Sequence, residues 1–115
     1  MTKTDLNYLA SISAEIAQKE RALSYMKDFY EKTGDEILLD DIAELEIQLD
    51  ELKRKRDLLQ PEIEKFINDN FPEERTILRL HYLRGFSWQE VGCAIGKSTN
   101  AVKMASSRAI KRYFE

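Results

Sequence analysis

Between Lys97 and Arg112 the chain gathers side chains that donate hydrogen bonds at a distance: Lys97, Thr99, Asn100, Lys103, Ser107, Arg108, Lys111 and Arg112. Read as a helix from Thr99 to about Tyr113, this segment turns Val102, Ala105, Ala109 and Ile110, with Tyr113, inward. Asn100, Lys103, Met104, Ser107, Arg108 and Lys111 then face outward. Such a set breaks no bonds; its chemistry is recognition. In the major groove of duplex DNA an Asn bridges adenine and a Lys or Arg reads guanine, whereas later basic residues more often hold phosphate. The first residues of such a helix approach the bases. Thr99, Asn100 and Lys103, with Ser107 further along, are therefore assigned to base edges, and Lys97, Arg108, Lys111 and Arg112 to phosphates.

A helix can read DNA only if other elements hold it, and the preceding residues supply them. Pro72 with Glu73 and Glu74 reads as a first helical turn. The apolar set Ile77, Leu78, Leu80, Tyr82 and Leu83 then predicts a supporting helix over 73–83, ended by Arg84-Gly85. Ser87 and Glu90 form the S-x-x-E capping pattern ahead of Val91 and Ile95, which predicts a short helix over 88–95. Gly96 stops it and Ser98 can cap the next helix. Two helices joined by so tight a turn make a helix-turn-helix.

Upstream, Leu9, Ile12, Ile16, Lys19, Leu23, Met26 and Tyr30 recur at steps of three and four, with Lys19 as a break in the stripe. A second stripe runs Leu38, Ile42, Leu45, Leu49, Leu52, Arg56, Leu59, Ile63 and Phe66. Gly34 between them can end a helix. The expected fold is all-α: an antiparallel helical hairpin of coiled-coil type over residues 1–71, serving oligomerisation or partner binding, then a DNA-binding helix-turn-helix module over 72–115. Pro61 predicts a kink or a restart of the second helix near Gln60. The stripes suit closure of the hairpin on itself or a dimer through the same surface.

The net charge of −3 conceals a division at Pro72. Residues 1–71 hold 10 Lys and Arg against 17 Asp and Glu, while residues 72–115 hold 8 against 4. Positive charge thus sits where a polyanion would bind. KRKR at 53–56 is better read as a solvated helix face. No glycine-rich phosphate cradle, metal-ligand cluster or nucleophile with a base is present, so neither an enzyme nor a cofactor is expected. One cysteine and one histidine make neither a disulfide nor a zinc site by themselves. Trp88 is expected to pack, His81 to be structural, and Cys93 to behave as a small hydrophobe. With no apolar run near membrane-spanning length, a cytoplasmic protein associated with the nucleoid of a bacterial host is expected, without membrane contact.

Arg75 and the following TILRLHYLRGFSWQEVGCAIGKSTNAVKMASSRAIKRY resemble region 4 of sigma factors: a leucine-rich helix, a glycine, S-x-x-E with an apolar residue, a glycine, then V-K before a basic tail. Gly92 departs from the pattern, where alanine is usual. The chain as a whole is similar to small phage and prophage regulators of the ArpU and RinA kind. That resemblance implies a sequence-specific double-stranded DNA-binding transcription regulator, an activator of phage late genes, whose acidic hairpin dimerises or touches RNA polymerase. Two other functions suit the same architecture: a small terminase-like DNA-packaging protein, and an adaptor whose module binds RNA polymerase.

Overall fold

The computed structural model describes residues 1–114, which are helical throughout apart from short turns. Helix α1, Lys3–Thr33, begins in a capping box in which Thr2 and Asp5 satisfy each other's backbone N–H groups. It ends at Gly34 in the left-handed conformation. A single turn of 3-10 helix, Glu36–Leu38, leads into α2, Leu39–Asn68. Helix α3, Pro72–Leu78, continues as a widened π-type turn, Arg79–Leu83, before α4, Trp88–Ile95, and α5, Thr99–Phe114.

The hairpin closes on itself. Every residue of both predicted stripes is buried or half-buried, and Ile12, Ile16 and Leu49 form one core cluster flanked by Leu23 and Leu52. Lys19, the break in the stripe, pairs with Glu15 at 3.7 Å. Pro61 does not restart α2, which continues through it to Asn68. The proline denies the Asp57 carbonyl its helical partner, but both residues are exposed, so solvent can serve that carbonyl.

The main core lies at the base of the hairpin and draws on both sides of Pro72. Leu6, Leu9, Ile63, Phe66 and Ile67 pack with Leu78, Tyr82 and Ala109. Phe66 meets the rings of Tyr113 and Phe114 at 4.7 and 5.7 Å. A smaller cluster, Ile77, Val91, Val102 and Ala105, holds α3, α4 and α5 together. Trp88 borders both clusters.

At Gly85 hairpin and module meet backbone to backbone. Its φ of +76° already favours glycine, and a Cβ there would stand 2.2 Å from the Ser13 backbone oxygen. Beside it the buried Ser13 Oγ donates to the Tyr82 carbonyl at 2.6 Å. The last turn of the supporting element makes i to i+5 hydrogen bonds, with Arg84 N donating to the Arg79 carbonyl at 3.1 Å. Helix α1 therefore lies with its backbone directly on the turn that leads into the helix-turn-helix.

Replacing Gly85 by Ala forces backbone against backbone and imposes a disfavoured φ, and is expected to cost about 3 kcal/mol. In denaturant titrations the helical circular dichroism and the Trp88 fluorescence should both shift to lower midpoint, together. A variant as stable as the parent would show that the contact does not carry the junction.

Candidate nucleic-acid interface

The site is built on α5, and α4 sets its angle. Ser87 Oγ accepts from Glu90 N at 3.1 Å while the Glu90 carboxylate accepts from Ser87 N at 3.0 Å, which is the capping box expected. These hydrogen bonds hold the Glu90 carboxyl below the usual carboxylate range. Gly96 closes α4 at φ +73°, and Ser98 Oγ accepts from Ala101 N at 3.1 Å to cap α5. Val102, Ala105 and Ala109 are buried and Ile110 half-buried, as predicted. Ser106 is buried with them, which its polarity concealed. Tyr113 packs its ring on Phe66 yet stays 42% exposed.

Opposite that buried face, Asn100, Met104, Ser107 and Lys111 follow one another at steps of four, three and four, and all are exposed. Lys103 and Arg108, also exposed, flank this line on either side. Asn100 Nδ2 lies 3.8 Å from Met104 Sδ. Thr99, the first residue of α5, is half-buried. Lys103, Arg108 and Lys111 have no ion-pair partner among the described residues.

The other two cations assigned to phosphates are differently placed. Lys97 pairs with Glu73 at 2.5 Å. Arg112 pairs with Glu74 and also donates to Asn70 Oδ1 at 3.2 Å, with its guanidinium 5.4 Å from the Phe71 ring. The two glutamates at the start of α3 are thus more than dipole-matched first-turn acids: they hold the flanks of α5 from the side. Arg112 clamps α5 to the α2–α3 corner, so phosphate could engage it only in competition with Glu74. Nothing in local spacing announced these pairs, because their partners are 24 and 38 residues apart.

Gly92, the departure from the expected pattern, is buried, and a Cβ there would come within 2.5 Å of the Lys97 backbone oxygen. Lys97 N in turn donates to the Gly92 carbonyl at 2.9 Å. The turn between α4 and α5 therefore folds directly over Gly92. The position gives up helix propensity for that close approach.

Trp88 packs, as expected. Its ring stacks on His81 with centroids 3.6 Å apart and 15° between planes, and meets Tyr82 edge-on. His81 Nδ1 lies 2.7 Å from the Phe86 carbonyl, which only accepts, so that nitrogen carries a proton. Burial lowers the His81 pKa, partly opposed by this hydrogen bond. The expectation that Cys93 packs as a small hydrophobe does not hold: it lies exposed on α4. The two faces of α4 diverge here, with Val91 and Gly92 turned inward and Cys93 and Ala94 outward.

Residues 72–112 match the family model described as Sigma-70, region 4. The match spans α3, α4 and nearly all of α5 and leaves the hairpin outside it. No curated protein and no solved structure matches the chain. The chain thus carries a sigma region 4-like helix-turn-helix, a DNA-binding module of the kind used in transcription. No helix among the described residues is long and apolar enough to cross a membrane.

Two substitutions probe how the module is held. Gly92→Ala gains up to about 1 kcal/mol of helix propensity. Its methyl nevertheless meets a backbone carbonyl that no side-chain rotation can move, so a net loss of roughly 1–3 kcal/mol is expected in chemical denaturation. A neutral or stabilising result would mean that the turn opens without cost. For His81, the folded state keeps the ring neutral where the unfolded chain would take up a proton. Its contribution is therefore complete above the ordinary value of 6.5 and is lost as pH falls from there toward the lowered folded value. Between about pH 8 and pH 5.5 the thermal midpoint read at Trp88 should decline, and His81→Gln should flatten the decline. An unchanged pH profile in that variant would remove His81 as its cause.

Proposed function

We propose that the protein is a sequence-specific double-stranded DNA-binding transcription regulator that acts as an activator of phage late genes in the cytoplasm of a bacterial host, at the nucleoid. The observation that carries this reading is the exposed donor line of α5, set behind a three-residue turn from α4 in a module that matches sigma region 4. On this reading Asn100 and Lys103 read base edges, with Thr99 at the helix start and Ser107 one turn further on. Arg108 and Lys111 hold phosphates. Lys97 and Arg112 join them by exchanging Glu73 and Glu74 for phosphate oxygens, a modest exchange for the exposed pair Lys97–Glu73.

A second reading, contact of the acidic hairpin itself with RNA polymerase, is favoured by the far end of the hairpin. There Tyr25, Phe29, Ile37 and Leu39 are exposed in a stretch, 25–47, that holds eight acidic and two basic residues. Large apolar side chains set among acids suit a basic protein surface better than a nucleic acid. The two readings are compatible in one molecule, with the module on DNA and the tip on polymerase.

The test is to incubate the full-length protein with fragments of its source genome at near-physiological salt and sequence what is retained, in parallel for Lys103→Ala and Lys111→Ala. The parent should enrich a short site upstream of a gene cluster. Lys103→Ala should change the preference among sites, whereas Lys111→Ala should weaken all of them alike and reduce the salt slope by about one. Enrichment beside a packaging gene would turn the reading to a small terminase. No retention at low salt would leave the adaptor, and identical behaviour of both variants would overturn the division between base and phosphate roles.

A further inference from the structure

The face of α2 opposite its buried stripe carries another stripe that nothing in the fold covers. Asp40, Ile47, Glu51, Arg54, Leu58 and Lys65 all fall on one heptad line and all are exposed. Leu58 is 82% and Ile47 69% exposed, the two large aliphatic side chains of α2 most open to solvent. Acids occupy the first half of the line and bases the second. That polarity alone would suit the helix dipole. The placement of the aliphatics is a separate observation: Ile47 and Leu58 stand at equal distances on either side of the midpoint between Glu51 and Arg54.

In an antiparallel helix pair, residues whose numbers have a constant sum lie at one level. We infer that this face pairs with the same face of a second copy, antiparallel, about a twofold axis passing between Glu51 and Arg54. One register then sets Ile47 against Leu58 of the second copy, Glu51 against Arg54, and Asp40 against Lys65. Beside the line it also sets Asp50 against Lys55. The twofold repeats each pairing, so the surface is complementary to itself. Parallel pairing in register would instead set each charge against its own like. In the monomer Arg54 bridges to Asp50 on its own helix and is free to exchange that exposed contact for Glu51 of the second copy.

The two inner stripes are already used within the hairpin, so this dimer leaves the fold intact. It is a small interface with an ionic centre, which makes it reversible and salt-sensitive. Its twofold places the ends of the two α2 helices, and with them the two modules, on opposite sides of the axis.

The experiment is sedimentation equilibrium of the full-length protein without DNA, up to roughly 0.3 mM, where even millimolar association is visible. A monomer–dimer equilibrium weakened by salt is expected. Glu51→Arg and Arg54→Glu should each weaken it about tenfold, and the two together should restore it, because the exchanged charges again meet opposites. All sites are exposed, and unchanged circular dichroism checks the fold. In a Cys93→Ser background, Ile47→Cys with Leu58→Cys should give a covalent dimer with a short bis-maleimide. Ile47→Cys alone should not, since the two copies of that position are about 16 Å apart along the axis. A monomer throughout the range, failure of the double exchange to restore association, or equal cross-linking of Ile47→Cys alone would each overturn the inference.

Discussion

The architecture depends on the approach of one backbone to another at Gly85. Helix α1 has no side chain between it and the turn that follows α3, because a Cβ at Gly85 would coincide with the Ser13 carbonyl. Polar satisfaction accompanies the approach: Ser13 is a buried hydroxyl in an otherwise apolar stripe, and it gives its proton to the Tyr82 carbonyl. With the helix this close, Leu6 and Leu9 reach Leu78 and Tyr82, and the ends of α2 and α5 close around the same core. What reads as two segments along the chain is consequently joined by burial rather than by a tether.

Much of this could be read from residue spacing where the physics is local. The stripes Leu9 to Tyr30 and Leu38 to Phe66 had the helical period of a buried face, and each residue in them is withdrawn from solvent. The capping pattern at Ser87 and Glu90 placed α4 at its observed bounds, and Gly34 and Gly96 end their helices as glycines commonly do. What escaped was non-local. Leu6 and Ile67 lie off the ends of the stripes and are buried only because another element arrives there. Gly85 carried a helix-stop signal but no sign of which backbone would press on it. Gly92 departed from a pattern, and its reason, the Lys97 carbonyl, appears only once the turn is folded. Pro61 predicted a break, yet it lies on the solvent side of a helix whose other face is held by α1.

The candidate site was legible in the same uneven way. The outward line of α5 follows from its period, since Val102, Ala105 and Ala109 can only face in. The state of its flanks does not, because charges so far apart in sequence have no period in common. Glu73 and Glu74 sit at the start of α3, where the helix dipole favours them, and from there they neutralise Lys97 and Arg112. The module therefore offers a narrower strip of open positive charge than its composition indicates, centred on Lys103, Arg108 and Lys111.

The shared core also has a mechanical meaning. A flexible linker lets a second binding surface search a volume, and its effective concentration changes only gradually with distance. Here the hairpin tip is carried on paired helices about 45 Å long, rooted in the same side chains that support α5. A lever of that kind fixes azimuth as well as reach. Sliding the module by half a turn of the double helix would swing the tip to the far side of the DNA, so anything that must meet both ends would sense helical phase and not merely distance.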